Sequence, residues 1–458
     1  MRLTPKIPKI GESEGFSNSD LFELKGFGER LSNLIIKINE PLVIVLDGAW
    51  GSGKSTFIKQ WSGVLREQRT PVIIFDAFEN DYHEDAFFTL ASQVIEQAQK
   101  ILGKTRTTKQ FIEQTKKVGR VLVPLTAKLM IRAASLGALS ASDLTESSDE
   151  IMKTISGDVS ETIERVLDDK IKKIESDKLA IESFRSHLAR LAGAMSEKLA
   201  DVTDKASHLP PLVIVIDELD RCRPPFSINL LERIKHLFSV EGVCFVLVTH
   251  LPQLAVAIRG SYGQDMNAER YLEKFYHLKL SLPDDTRTGG PKKKYEKYVD
   301  YLWSSMELAT DDPHWDALLQ GGIVNFSYSY SLSYRTIERV VSCVALVTAA
   351  TSKRNLRWPP LIVGLCVMKV ENPSLYERVK NGVLEWEDAF KFLNMTPWND
   401  QAAYDFYYRS WKFALSKNLS NEGWEEQYFS ELHRYNLRRE RIIPFMIGYI
   451  EELFQTKS

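Results

Sequence analysis

A lysine and a serine follow a run of small residues at positions 48–55, where the sequence is GAWGSGKS. The spacing matches G-x-x-x-x-G-K-[ST], a pattern in which backbone N–H groups turn toward a phosphate. Lys54 can then reach the β- and γ-phosphates of a nucleotide, and Ser55 can offer its hydroxyl to Mg²⁺. The pattern predicts a phosphate-binding loop with these contact residues: Gly48, Ala49, Trp50, Gly51, Ser52, Gly53, Lys54, Ser55 and Thr56.

Trp50 is larger than a phosphate-binding turn requires. The variable positions of the pattern need only leave the backbone free to turn. The indole must therefore point away from the phosphate. Two placements satisfy this requirement, one beneath the loop and one against the bound nucleotide.

The elements that must position this loop are a strand before it and a helix after it. Residues 41–47 are PLVIVLD, an apolar, β-branched run that predicts a buried parallel strand. The helix predicted to begin near Gly53 directs the positive end of its dipole toward the same phosphate. Strand, loop and helix together predict a nucleotide site at the end of a parallel sheet.

A second apolar run ends in two neighbouring carboxylates, in PPLVIVIDELDRC at residues 210–222. It predicts another buried strand whose end lies beside the loop. Phosphoryl transfer needs a metal ion and a positioned water. We therefore expect Asp217 to hold Mg²⁺ together with Ser55. Glu218 is expected to polarise the attacking water, and with Lys54 it forms the predicted catalytic pair.

GAWGSGKST resembles the G-x-W-G-S-G-K-[ST] loop of the KAP family of P-loop NTPases, a group related to the STAND and AAA+ ATPases. DELDRC at 217–222 is similar to the pattern of the same family. Residues 253–283 look like the segment that closes its core domain. The resemblance covers roughly residues 20–350. It implies an ATPase, with ATP as the bound nucleotide and Mg²⁺ as the cofactor.

The resemblance also implies a lid and a phosphate sensor. LSYRTIERV at 332–340 is similar to a lid helix of STAND and AAA+ proteins, in which an arginine reaches the phosphates. Arg335 is the implied nucleotide-binding residue, with Arg339 one turn further on the same face. A third apolar run, VCFVLVTHL, ends in Thr249 and His250, where related ATPases sense the γ-phosphate. His250 departs from the aspartate more usual in the family.

Two further arginines, Arg221 and Arg223, follow the neighbouring carboxylates Asp217 and Glu218. In related ATPases this rim of the site faces the adjacent protomer. The resemblance therefore implies a homo-oligomer in which one of these arginines completes a neighbour's site and acts in catalysis. The alternative is that both pair with Asp220 or Glu232 of their own chain.

The bulk composition fits an ordinary globular protein of several domains. Hydrophobic residues make up 44% and charged residues 26% of the 458 positions. The net charge of -2 comes from 59 basic and 61 acidic residues, so no general attraction to nucleic acid or anionic lipid is expected. Four scattered cysteines and an N-terminus without a signal-like apolar run predict a cytoplasmic protein.

The predicted fold is α/β, with an AAA+/STAND-like parallel-sheet P-loop core, a large helical insertion and a helical C-terminal region. Residues 1–85 and 208–283 are predicted to form the two parts of the core. Residues 86–207 show helical periodicity and form the insertion, either a coiled projection or a packed subdomain. Residues 284–458 are predicted to contain the lid and the C-terminal helices.

One apolar segment, residues 118–142, raises the question of a membrane helix. Arg120, Lys128 and Arg132 divide it into runs shorter than the roughly 18 residues a span requires. No stable span is expected, and an internal or partner-facing helix is favoured over a basic helix lying on a membrane surface. The densest basic cluster, residues 433–443, is weak support for a nucleic-acid partner.

These observations predict an ATP-hydrolysing switch or assembly platform. Family analogy implies antiviral defence beside a separate effector protein, since the sequence shows no effector active site. A nucleic-acid-stimulated motor and an ATP-binding scaffold without turnover are the alternatives. A GTPase is disfavoured, because neither N/T-K-x-D nor D-x-x-G follows the loop.

Overall fold

The computed structural model describes residues 1–6, 10–11, 14–16, 20–38, 40–83, 85–122, 159–200, 209–283, 290, 292–351, 355–393, 401–416, 419 and 423–451. Within these ranges a parallel sheet forms the centre of the N-terminal part. Its strands are β1 (Leu42–Asp47), β2 (Val72–Asp76), β3 (Leu212–Asp217), β4 (Val243–Thr249) and β5 (Leu278–Ser281). They lie in the spatial order β2-β3-β4-β1-β5, so β4 separates the strand before the loop from the strand that ends in Asp217.

The helices around and beyond the sheet follow in chain order. In the N-terminal part they are α1 (Lys25–Lys37), α2 (Lys54–Glu67), α3 (Ala86–Leu102), α4 (Arg106–Leu122), α5 (Val159–Leu199), α6 (Pro224–Arg233), α7 (Leu251–Tyr262) and α8 (Ala268–Leu272). In the C-terminal part they are α9 (Lys292–Ser305), α10 (Pro313–Ser329), α11 (Tyr334–Ala350), α12 (Pro359–Glu371), α13 (Pro373–Lys380), α14 (Trp386–Leu393), α15 (Gln401–Leu415), α16 (Glu425–Arg434) and α17 (Ile442–Glu451).

The strands are apolar on both faces because helices cover both sides of the sheet. Side chains alternate along a strand, so Ile44 and Leu46 of β1 enter one core, while Val43 and Val45 enter the other. The first core contains Trp61 of α2. A strand buried on two sides needs an uninterrupted apolar run rather than an alternating one, which is the pattern that PLVIVLD shows.

The second face of the sheet is covered by helices from far apart in the chain. Phe87 of α3 and Phe184 of α5 pack with Phe238, which follows α6. Val118 of α4 joins the same buried cluster. Of the described helices between β2 and β3, α3 and the later part of α5 therefore pack on the sheet, and α4 packs against these two helices.

The C-terminal helices build a third hydrophobic core of their own. Trp411 of α15 is fully buried, and its indole donates a hydrogen bond to the carbonyl oxygen of Pro360, 3.0 Å away at the start of α12. Gly364 of α12 makes this approach feasible, since a Cβ there would lie 2.5 Å from the Trp411 ring. This core holds α11, the predicted lid helix, in place.

The parallel sheet confirms the predicted α/β class, and the three apolar runs singled out in the sequence are β1, β3 and β4. The predicted domain limits remain predictions. Of the apolar segment 118–142, residues 123–142 lie outside the described ranges. Among the helices of the described residues, none has the length and apolarity needed to cross a membrane.

Candidate phosphate-binding site

The predicted site residues converge at the carboxyl edge of the sheet. Parallel pairing sets Asp76 of β2 opposite Asp217 of β3, and Asp47 of β1 opposite Thr249 of β4. The loop of residues 48–53 leaves β1 at this edge and leads directly into α2. Open parallel sheets bind their ligands at this edge.

Two glycines give the loop its shape. Gly51 has φ of +74° and Gly53 has φ of +88°, both in the left-handed region that favours glycine. Within the loop, the Oγ atom of Ser52 is buried and has no hydrogen-bond partner among the described residues. Buried polar atoms are nearly always paired, so this hydroxyl fits a site whose ligand supplies the missing partner.

Lys54 begins α2 and is buried under the loop. Its Nζ atom donates to the carbonyl oxygens of Gly48, at 2.5 Å, and Ala49, at 3.0 Å. Burial lowers the pKa of Lys54, while the carboxylates of Asp220 and Asp217 act in the opposite direction. The ammonium is therefore held at the mouth of the loop, where a phosphate would compete for it.

The two predicted metal ligands are in contact. Asp217 interacts with the side chain of Ser55, and one oxygen of Asp217 accepts the backbone N–H of Glu218 at 2.9 Å. Burial raises the pKa of Asp217, and Asp76 adds to this effect. Across the described residues, no cluster of three or more His, Cys, Asp or Glu could hold a metal ion. One hydroxyl and one carboxylate fit Mg²⁺, which takes its remaining ligands from water and phosphate.

Glu218 has a strained backbone and a charged partner. Its φ of 58° and ψ of 29° are left-handed, which is unusual for a residue with a side chain. Its Oε1 lies 2.9 Å from Nη1 of Arg221 in the same chain. Burial raises the pKa of Glu218, and the charge of Arg221 lowers it. Backbone strain of this kind concentrates at functional sites.

The two arginines after β3 both have partners in their own chain. Arg221 pairs with Glu218 rather than with Asp220 or Glu232. Arg223 instead contacts Asp81, whose Oδ2 accepts the backbone N–H of Arg223 at 2.9 Å. The sequence pattern gave no sign of these two pairs.

Trp50 is partly exposed, and its indole is directed toward the turn that follows β3. Its indole Nε1 donates a hydrogen bond to Oδ2 of Asp220. The Thr249 hydroxyl donates to Oδ1 of the same carboxylate, at 3.1 Å. The Trp50 ring also meets the ring of His250 edge-on, with centroids 6.1 Å apart. Nδ1 of His250 is buried and has no hydrogen-bond partner in the part of the chain that the structure describes.

The predicted lid helix docks directly on the loop. The backbone N–H of Tyr334 donates to the carbonyl oxygen of Gly51 at 3.1 Å. A Cβ built on Gly51 would lie 3.1 Å from Cβ of Arg335, and the charge of Arg335 also lowers the pKa of Glu218. Arg335 is thus brought to the site, whereas Arg339 is exposed further along α11.

A cavity of about 390 Å³ opens beside the loop. Trp50 lines it, and its apolar lining also includes residues that the sequence analysis missed, among them Phe22, Leu24, Pro283, Tyr295 and Tyr334. The rings of Phe22 and Tyr334 are stacked, with centroids 4.6 Å apart. Because these residues come from four separate segments, no local spacing could have indicated them.

A parallel sheet whose edge carries this glycine-containing loop, lysine and serine defines a P-loop NTPase. The KAP family P-loop domain matches residues 25–350 of the chain. The chain belongs to the KAP family of P-loop NTPases.

One curated protein and two solved structures are similar to the chain. The protein described as "Uncharacterized protein MJ0182" of Methanocaldococcus jannaschii is 28% identical over 171 residues, which are 37% of this chain and 84% of that protein. Among solved structures, the ORC2 protein of Aeropyrum pernix in its ADPNP-ADP complexes has a TM-score of 0.37 and 12% identity, over 94% of each chain. Its ADP form has a TM-score of 0.33 at 12% identity, over 94% of this chain and 95% of that one.

Proposed function

We propose that the chain binds and hydrolyses Mg-ATP at this loop. The observation that carries the proposal is the meeting of three groups at one sheet edge: the buried Lys54, the contact between Ser55 and Asp217, and the strained Glu218. Phosphoryl transfer needs a cation on the phosphates, a metal ion and a positioned water. These groups match the three needs.

Each residue then has a defined task. Lys54 exchanges its contacts with the carbonyls of Gly48 and Ala49 for the β- and γ-phosphates. Ser55 and Asp217 would hold Mg²⁺, which when bound neutralises part of the phosphate charge. Glu218 orients the attacking water.

The cavity beside the loop is a suitable binding place for the nucleotide base. Stacked aromatic rings at Phe22 and Tyr334 and the apolar Leu24 offer flat, apolar surfaces. Such surfaces bind a base by stacking. We propose that the base lies here, with Arg335 of α11 toward the phosphates.

The proposal includes an assembly. We propose a homo-oligomer in which Arg221 or Arg223 completes a neighbour's site, and Thr249 and His250 respond to the γ-phosphate. The position of both arginines just after Asp217 and Glu218 supports this, because that turn lies at the rim of the site. Arginine fingers increase turnover by about 10³- to 10⁵-fold in enzymes that use them.

The biological role is proposed from family analogy and from the docking of α11 on the loop. We propose a cytoplasmic switch or assembly platform, whose nucleotide state controls a separate effector protein in antiviral defence. The docking of α11 on Gly51 supports a switch, because a ligand in the loop would act on the lid directly.

Binding tests the proposal first. Lys54→Ala should weaken Mg-ATP binding at least about 10- to 100-fold, because it removes a charge-assisted contact to the phosphates. Calorimetry of Mg-ATP binding measures this. Lys59→Ala is the matched control, since Lys59 is exposed on the same helix α2. Equal affinity in the Lys54→Ala variant would place the nucleotide elsewhere.

Turnover separates the two alternatives. A scaffold binds ATP without steady-state hydrolysis. A nucleic-acid motor hydrolyses faster with DNA or RNA, and that stimulation falls steeply with salt. The basic cluster at 433–443 is the observation that favours a motor. We expect hydrolysis that is unchanged by nucleic acid.

A further inference from the structure

Asp220 lies where three parts of the site meet. It belongs to the short turn Leu219–Arg221 after β3, and the residue is only 8% exposed. One carboxylate oxygen, Oδ2, accepts the indole N–H of Trp50 from the phosphate-binding loop. The other, Oδ1, accepts the hydroxyl of Thr249 at the end of β4 over 3.1 Å. One side chain therefore joins the loop, the segment after β3 and the end of β4.

The surroundings of Asp220 suit a buried carboxylate. Buried charges are stable when they are hydrogen-bonded and face an opposite charge. Each oxygen has one donor, and the ammonium of Lys54 supplies the charge, since Asp220 is the strongest of the groups that raise the pKa of Lys54 against burial. The contact with Trp50 is thus part of a polar network under the loop.

Packing alone does not fix Trp50. Its side chain is at the surface, with 45% of the residue exposed, and its ring touches His250 only edge-on. The hydrogen bond to Asp220 is the directional contact that sets where the ring points. Because Trp50 precedes Gly51 and Ser52, fixing it also restricts the backbone whose N–H groups face the phosphate.

We infer that Asp220 is a positioning residue, which holds the phosphate-binding loop in its binding conformation through Trp50 and Thr249. This inference rests on the proposed nucleotide site and assigns Asp220 no contact with the nucleotide. The loop is then prepared before the phosphates arrive, and less ordering is needed on binding.

Removing either donor tests the inference without removing the carboxylate. Trp50→Phe and Thr249→Val should each weaken Mg-ADP binding about tenfold, and so should Asp220→Asn. Thr249→Ser keeps the hydroxyl and should bind like the parent. The double variant Trp50→Phe/Asp220→Asn should bind Mg-ADP no more weakly than the single variant that binds it more weakly. Both changes break the same contact, so their effects should not add. Calorimetry with Mg-ADP measures all five variants.

Fluorescence provides a readout that a loss of stability would not produce. The parent spectrum minus that of Trp50→Phe gives the emission of Trp50 in the nucleotide-free protein. The same subtraction in the Asp220→Asn background should show emission at longer wavelength, because the released indole becomes solvated. An unchanged Trp50 emission overturns the inference.

The outcomes of binding separate this inference from the proposed function. If the parent binds neither Mg-ATP nor Mg-ADP, the proposed function is wrong and the inference falls with it. If the parent binds, but Trp50→Phe, Thr249→Val and Asp220→Asn bind equally well, only the inference is overturned. If Asp220→Asn does not fold, the two donor variants decide the matter.

Discussion

Burial and the neighbouring arginines shift the pKa of Glu218 in opposite directions. Burial raises its pKa, while Arg221 at 2.9 Å and the more distant Arg335 lower it. A carboxylate held by arginines is fixed in orientation, which is what aligning a water requires. The residue is therefore the best candidate in the site for activating water.

Glu218→Gln should separate binding from turnover. The amide keeps the size of the side chain but loses the charge that polarises water. We expect Mg-ATP affinity to remain near that of the parent and turnover to fall about a hundredfold or more, the range that general-base catalysis supplies. Steady-state hydrolysis and calorimetry measure the two effects. A variant that hydrolyses at the parental rate would remove Glu218 from the mechanism.

A second prediction follows from the left-handed backbone at Glu218. Glycine relieves the strain at φ of 58°, whereas alanine does not. We expect Glu218→Gly to be more stable than Glu218→Ala by about 1 kcal/mol, although both lose the catalytic carboxylate. Denaturant unfolding of the two variants measures the difference. Equal stability would show that the backbone relaxes at this position.

At the residue scale, contiguous patterns were predictable and distant contacts were not. The loop could be assigned because its contacts lie within nine neighbouring positions, from Gly48 to Thr56. The sequence limited the indole of Trp50 to two placements but could not decide between them. Its partner Asp220 is 170 positions away, and only the strand order brings the two together.

The loop and the helix α11 form one contact unit. A Cβ on Gly51 would meet Cβ of Arg335 and Oγ of Ser333, each at 3.1 Å, so α11 or the loop would have to move. Gly51→Ala should therefore destabilise the protein by more than the roughly 1–2 kcal/mol that a left-handed alanine costs. Thermal or denaturant unfolding of the variant measures this loss.

Gly242 offers the matched control. Its φ is also +74°, and a Cβ there would meet no atom of the described residues within 4 Å. Gly242→Ala should show the backbone cost alone, and the excess loss in Gly51→Ala is then the cost of displacing α11. If the two variants lose the same stability, the loop and α11 can separate freely.

At the element scale, continuous apolar runs could be assigned to strands, whereas the packing of the helices on the sheet could not be predicted. Uninterrupted apolar runs bounded by glycine or proline indicated β1 and β3 within a residue or two of their bounds. The same patterns could not indicate which helices cover which face. Residues 86–102 were predicted to begin an insertion, either a coiled projection or a packed subdomain, and the structure shows that Phe87 of α3 packs in the core beside the sheet. Helical periodicity indicates that one face of a helix is buried, but it does not indicate which element packs on that face.

At the scale of the whole molecule, the chain start connects the two halves. The carbonyl oxygen of Leu3 accepts the hydroxyl of Ser342 on α11 at 2.7 Å. Phe16 packs on Phe57 in the sheet core, with ring centroids 5.7 Å apart. Phe22 lines the cavity beside the loop. Contacts of such long range depend on the finished fold, which is why no pattern in the sequence predicted them.

The proposed assembly must account for the partners of the two arginines. Arg221 holds Glu218, and Arg223 holds Asp81, both within one chain. Exposed ion pairs contribute little to stability, about 0–1 kcal/mol, so a neighbour's phosphates could recruit the exposed Arg223 at small cost. Arg221 is less exposed and would have to leave Glu218. Arg335 differs, because α11 carries it to the loop of its own chain.

Mixing subunits distinguishes the two sources of charge. We expect Arg221→Ala/Arg223→Ala and Lys54→Ala each to be inactive alone and to regain part of the hydrolysis when mixed. The Lys54→Ala subunit cannot bind ATP but still supplies an arginine to its neighbour. Arg335→Ala mixed with Lys54→Ala is the control and should regain nothing, since Arg335 serves its own site. If the first mixture also stays inactive, and turnover per site does not depend on protein concentration, the arginines act within one chain and the trans arrangement is wrong.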